Sequence, residues 1–74
     1  MKPILTEREL NVLEYLAKGL KNDQISDKLH ISVHTTKAHL ESIYEKFGVT
    51  NRVQAAIKAV ALGIIDIKST INNI

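Results

Sequence analysis

The sequence predicts an all-α domain, a four-helix bundle-like fold containing a helix-turn-helix. Apolar residues recur three and four positions apart through most of the chain, the spacing of amphipathic helices. Capping residues and glycines divide that pattern into four segments. No stretch alternates polar and apolar residues over the length of a strand.

The first helix is expected from about Glu7 to Lys18. Thr6 and Glu9 have the spacing of a capping box, in which the hydroxyl takes an amide of the first turn and the carboxylate reaches back to the cap. Leu10, Leu13, Leu16, Ala17 and Leu20 follow at helical spacing, and Gly19 supplies a left-handed stop. Asn22 is placed to cap a short second helix, Asp23 to Leu29, with Ile25 and Leu29 on one face. His30 and Ile31 form the turn. Ser32 then caps a third helix, from Val33 to about Phe47, whose inward face is Thr36, Leu40, Ile43 and Phe47. Gly48 ends it. Thr50 or Asn51 caps a fourth helix that runs to about Leu62, before Gly63. Residues 1–65 read as one helix-turn-helix domain and 66–74 as a frayed or disordered tail.

A chain of 74 residues buries only about 60% of its unfolded surface. Domains this small lean on disulfides, metal or oligomerisation. With no cysteine, disulfides and thiolate metal sites are excluded, which leaves self-association. The fourth helix offers a surface for it. Val53, Ala55, Ala56, Ile57, Ala59, Val60, Ala61 and Leu62 leave only Gln54 and Lys58 polar, more apolar surface than one core needs. Val53, Ala56, Ile57 and Val60 are the expected homodimer contacts.

The charge balance is mildly basic, +2 with a pI near 9.1. Between Leu20 and Lys46 the signs cancel, with Lys21, Lys28, Lys37 and Lys46 against Asp23, Asp27, Glu41 and Glu45. Placement rather than excess of charge must therefore carry any nucleic-acid affinity. No apolar run approaches the ~20 residues of a membrane span. Met1-Lys2-Pro3 is too short for a signal peptide, so a cytoplasmic location is expected, for a free-standing chain or for a domain of a longer protein. His30 and His34 are four apart, but a turn and a cap separate them and no third ligand stands at a metal-site spacing. No nucleophile-base pair and no glycine-rich phosphate loop occurs, so neither a cofactor nor an enzymatic activity is expected.

The stretch Ile31-Ser32-Val33-His34-Thr35-Thr36-Lys37-Ala38-His39-Leu40 carries the functional signal. It opens a helix with hydroxyl, imidazole and ammonium groups and no acid until Glu41. A short helix, a tight turn and a second helix with donors in its first turns are what a helix-turn-helix offers to the major groove of double-stranded DNA. Lys37, on the face opposite Leu40, can donate to guanine O6 and N7. Near the helix N-terminus, where phosphate is favoured, Thr35 is expected to touch phosphate or a thymine methyl and His34 to donate to phosphate or base, and the short Ala38 allows close approach or a thymine-methyl contact. Lys21 and Asn22, before the second helix, are candidates for the DNA backbone. Lys46 either reaches phosphate or complements the helix dipole. Glu41 either accepts from a cytosine amino group or repels phosphate. His39 either packs between helices or reaches a phosphate.

From Leu5 to Ile65 the chain resembles the LuxR/FixJ-type (GerE-like) helix-turn-helix domain of bacterial transcription regulators. The resemblance rests on Leu5-Thr6-Glu7-Arg8-Glu9, Val12-Leu13, Leu16-Ala17-Lys18-Gly19, Asn22, Ile25, Leu29, Ile31-Ser32, Thr35, Lys37, His39, Ile43, Lys46, Gly48-Val49, Arg52, Ala55 and Gly63. It implies four helices, with the second and third reading DNA and the fourth making the dimer contact. It also implies a place in two-component response regulators, quorum-sensing receptors or free-standing regulators. Two positions depart from the family pattern. Thr36 stands where valine is usual and places a hydroxyl on the buried side of the third helix, where it can bond back to the carbonyl four residues earlier. Glu41 stands where a basic or polar residue is common. The alternative function is a helical protein-interaction module that docks on RNA polymerase or another regulator without strong DNA binding.

Overall fold

The computed structural model describes residues 3–66. It contains four helices in the order α1 (Glu7–Ala17), α2 (Asn22–Leu29), α3 (Val33–Phe47) and α4 (Arg52–Ala61), and the described residues include no strand. The expected tail lies, from residue 67 onward, outside the described residues.

Local chemistry fixes most of the helix ends. The Glu9 amide donates to Thr6 Oγ1 (3.0 Å) and the Thr6 amide donates to Glu9 Oε1 (2.9 Å), which completes the capping box of α1. Ser32 Oγ accepts from the Thr35 amide at 3.0 Å and caps α3. Asn51, not Thr50, caps α4, with Oδ1 accepting from the Gln54 amide at 2.9 Å. Helix α2 departs from expectation. Asn22 is its first residue rather than its cap, and the cap position is Lys21, whose side chain has no acceptor to offer. The link comes instead from inside the helix, where Gln24 Oε1 accepts the Lys21 amide at 2.8 Å.

Two helices, α2 and α3, end on a left-handed cap residue. Gly48, with φ 68°, ends α3 without the steric cost a Cβ would bring. His30 closes α2 with φ 56° and ψ 44°, and here a side chain is present. His30 is exposed, so glycine at this position would relieve the strain and remove no packing. His30→Gly is expected to stabilise the domain by about 0.5–1 kcal/mol, net of the entropy glycine adds to the unfolded chain. A melting temperature a few degrees higher checks this; a lower one contradicts it.

The core forms where α1, α3 and α4 meet, with α2 laid against α3. Val12, Leu13, Leu16, Ile25, Leu40, Ile43, Phe47, Ala55, Ala59 and Ile65 are its buried members. The inward face expected for α3, Thr36, Leu40, Ile43 and Phe47, is buried in full. Helix α4 turns Ala55 and Ala59 to the core, and their small side chains allow close approach to α1 and α3. Ala56 and Val60 pack partly against that core, while Val53 and Ile57 stay 64% and 65% exposed.

Candidate nucleic-acid interface

The buried stripe of α3 determines what its other side presents. At about 100° per residue, His34, Lys37, Ala38 and Glu41 fall on the face turned away from Thr36, Leu40, Ile43 and Phe47, and all four are exposed. The structure therefore gathers four of the expected contacts on one outward surface. Thr35 flanks that surface and is half-buried. Its amide and its hydroxyl both meet Ser32 Oγ, at 3.0 and 2.9 Å, so the start of α3 is held rigidly. His39, half-buried, lies off this face toward the packed side.

Lys46 is placed elsewhere. Its Nζ donates to Glu9 Oε1 at 2.6 Å, an ion pair across α3 and α1. Ser42, one turn before Lys46, donates its hydroxyl to Glu9 Oε2. Glu9 is only 4% exposed, and its carboxylate thus accepts from the Thr6 amide, Lys46 and Ser42 together. Burial alone would raise its pKa; the hydrogen bonds from Lys46, Ser42 and Thr6, with the lysine charge, outweigh burial and lower it from 4.5 to about 2. Sequence reasoning saw the Thr6–Glu9 capping box but not this second role. The one available signal was a hydroxyl and an ammonium four apart on α3, beside its buried stripe.

Asn22, half-buried, is also engaged within the fold. Arg52, the first residue of α4, donates Nη1 to the Leu20 carbonyl (2.9 Å) and Nη2 to Asn22 Oδ1. A guanidinium only donates, so the amide oxygen of Asn22 must face it. The two N–H donors of Asn22 then point away from Arg52. Lys21, beside it, is exposed. Arg52 was legible only as part of the family resemblance, not as the clamp that ties α4 to the start of α2.

Thr36 corrects a second expectation. Its hydroxyl does not bond back along α3. It meets Ser26 Oγ of α2 at 2.7 Å, and Ser26 Oγ donates to the Asn22 carbonyl, also at 2.7 Å. Among the described residues no buried side-chain polar atom lacks a partner.

A short helix, a left-handed turn and a capped second helix with an exposed polar face form a helix-turn-helix, the architecture of a DNA-binding domain. A sequence model of bacterial regulatory proteins, the luxR family, matches residues 3–59. The chain belongs to that family, as a LuxR-type helix-turn-helix DNA-binding domain of transcription regulators. It is 47% identical over 60 residues to the transcriptional regulatory protein LnrK of Bacillus subtilis, covering 81% of this chain and 27% of that protein. It is 50% identical over 54 residues to the nitrate/nitrite response regulator NarP of Escherichia coli, covering 73% of this chain and 25% of that protein. The chain thus spans about a quarter of the length of these curated relatives. Among solved structures, the response regulator ChrA of a heme-sensing two-component system superposes with a TM-score of 0.82 at 42% identity, over 88% of this chain and 32% of that one. The transcription factor GerE superposes with a TM-score of 0.75 at 34% identity, over 80% of this chain and 88% of that one. No helix among the described residues is long and apolar enough to cross a membrane.

Proposed function

We propose that this domain is the sequence-reading part of a cytoplasmic bacterial transcription regulator, which places α3 in the major groove and binds as a homodimer to two half-sites. The observation that carries this reading is the outward face of α3, where His34, Lys37, Ala38 and Glu41 are exposed together opposite a fully buried stripe. On that face Lys37 donates to a guanine edge, Ala38 lets the helix approach, and Glu41 is the one carboxylate, suited to a cytosine amino group. His34 and Thr35 meet phosphate or the groove wall at the start of α3. Lys21 and the N–H donors of Asn22, which point away from Arg52, meet the backbone beside α2. Lys46 contributes through the fold, by holding α3 to Glu9, rather than through DNA. The exposed pair Val53 and Ile57 supports α4 as the dimer face, with Ala56 and Val60 at its edge.

The test uses duplexes selected by the wild-type domain from a randomised pool. Affinity should fall steeply with salt, because several phosphates are neutralised. Lys37→Ala should weaken binding about tenfold and relax the preference at one position of each half-site. A uniform loss over all sequences would make Lys37 a phosphate contact instead. A wild-type domain that enriches no sequence, and binds no duplex at low salt, would favour a protein-interaction module.

A further inference from the structure

Two hydroxyls meet inside the helix-turn-helix where apolar side chains would suffice. Ser26 and Thr36 are 4% and 0% exposed and belong to different helices, ten residues apart. Each hydroxyl has one hydrogen. Ser26 gives its hydrogen to the Asn22 carbonyl in the first turn of α2, so the hydrogen between Ser26 and Thr36 comes from Thr36. The bonds form a directed chain, from Thr36 of α3 to Ser26 of α2 and on to the backbone of Asn22. Arg52 holds Asn22 from its other side. Apolar contacts between α2 and α3 tolerate small slides and rotations, whereas a buried hydrogen bond at 2.7 Å does not.

We propose that the Ser26–Thr36 pair sets the orientation of α3 against α2, and that both are positioning residues for DNA recognition. The link to DNA rests on α3 being the reading helix; the link to helix orientation does not. Thr36 sits one position before Lys37, so a rotation of α3 at Thr36 swings Lys37 and Glu41 relative to the base edges. A misplacement of about 1 Å at such a site costs recognition without unfolding the domain.

The pair can be tested because its two halves are unequal. Thr36→Val keeps shape and leaves Ser26 bonded to Asn22, so nothing buried is stranded. Ser26→Ala strands the Thr36 hydroxyl. Its remaining acceptor is the Ser32 carbonyl, which already takes the Thr36 amide at 3.0 Å and can be shared only by bending α3. Ser26→Ala is therefore expected to lower the melting temperature by about 5–10 °C, and Thr36→Val by less than half of that. Adding Thr36→Val to Ser26→Ala should restore part of the loss, because the stranded hydroxyl is gone. Volume loss alone would make the two substitutions additive, and additivity would overturn the hydrogen-bond account.

The double variant then separates position from stability. Residual dipolar couplings measured without DNA report the angle between α2 and α3. That angle is expected to change or to become averaged in the double variant. Its preference for the selected duplex over a random-sequence duplex should fall about tenfold while binding to the random duplex persists. Unchanged couplings with unchanged preference would show that the hydroxyls only fill space, which overturns the proposal. Changed couplings in a domain whose wild type selects no sequence would support the positioning role and refute the reading of α3 as the DNA helix.

Discussion

Glu9→Ala is expected to destabilise the domain by about 3 kcal/mol, the effect of breaking a buried ion pair and a capping box in one step. Glu9 satisfies the Thr6 amide, the Ser42 hydroxyl and the Lys46 ammonium at once, and so joins the start of α1 to the second half of α3. A single-core domain of this size has about 5 kcal/mol in total, so the variant should keep only about 2 kcal/mol and melt well below the wild type. Acid should reproduce part of the loss. The folded pKa of Glu9 is lowered, to about 2, so its stabilisation is complete above the ordinary carboxylate pKa. It disappears as the pH falls from about 5 toward 2. The shift corresponds to on the order of 2–3 kcal/mol, after allowing for solvent screening at Lys46, whose side chain is 33% exposed. Glu9→Gln isolates this contribution, because the amide keeps an acceptor for Thr6 or Lys46 but cannot titrate. Denaturant unfolding of the wild type and Glu9→Gln at steps between pH 7 and pH 2 should give curves that converge at the acid end. Curves that stay parallel would mean that the Glu9–Lys46 pair contributes nothing to stability. DNA binding should be lost only to the extent that unfolding is, since Glu9 lies on α1, away from the outward face of α3.

What the sequence made legible divides along one physical line. Thr6 with Glu9, Ser32 and Gly48 act on backbone groups within four residues, so spacing alone announces them, and it narrows the cap of α4 to Thr50 or Asn51. The buried face of α3 was equally plain, because one helix must turn one stripe inward. The outward face with His34, Lys37, Ala38 and Glu41 followed as its complement. Interactions between helices were not legible. Glu9 finds Lys46 across 37 residues, Arg52 finds Asn22 across 30, and Ser26 finds Thr36 across ten. Those partners depend on crossing angles that no local period encodes. Local rules make Lys46 a dipole or phosphate group, Asn22 a cap and Thr36 a back-bonding hydroxyl. In each case a tertiary partner took the side chain, because a half-buried or buried polar group is better satisfied by a fixed donor or acceptor than by a shared carbonyl or by water.

The apolar surplus of α4 shows the same division and leads to the second large effect. Composition indicated too many apolar residues for one core. The structure assigns Ala55 and Ala59 to the core and seats Ala56 and Val60 partly on it. Val53 and Ile57, one turn apart, remain as an open apolar pair. If that pair is the centre of a homodimer, Ile57→Glu must place a carboxylate against an apolar partner without a counter-charge, and assembly should fail. Because Ile57 is 65% exposed, the fold of the single chain should survive, with an unchanged helical spectrum and a melt close to the wild type. Val60 is a poorer choice, since its partial burial would mix folding with assembly. Affinity for a duplex carrying two half-sites should drop by about a hundredfold, while affinity for one half-site stays within about threefold, because a dimer's advantage comes from linking two weak contacts at high effective concentration. A glutamate also repels phosphate, so Ile57→Lys is the necessary companion. A charge effect would weaken binding with glutamate and strengthen it with lysine, on both duplexes. An interface effect weakens binding with either, and only on the two-site duplex. Equal behaviour of wild type and both variants on the two-site duplex would mean that the half-sites are read independently, and that the Val53–Ile57 surface serves no second copy of this chain.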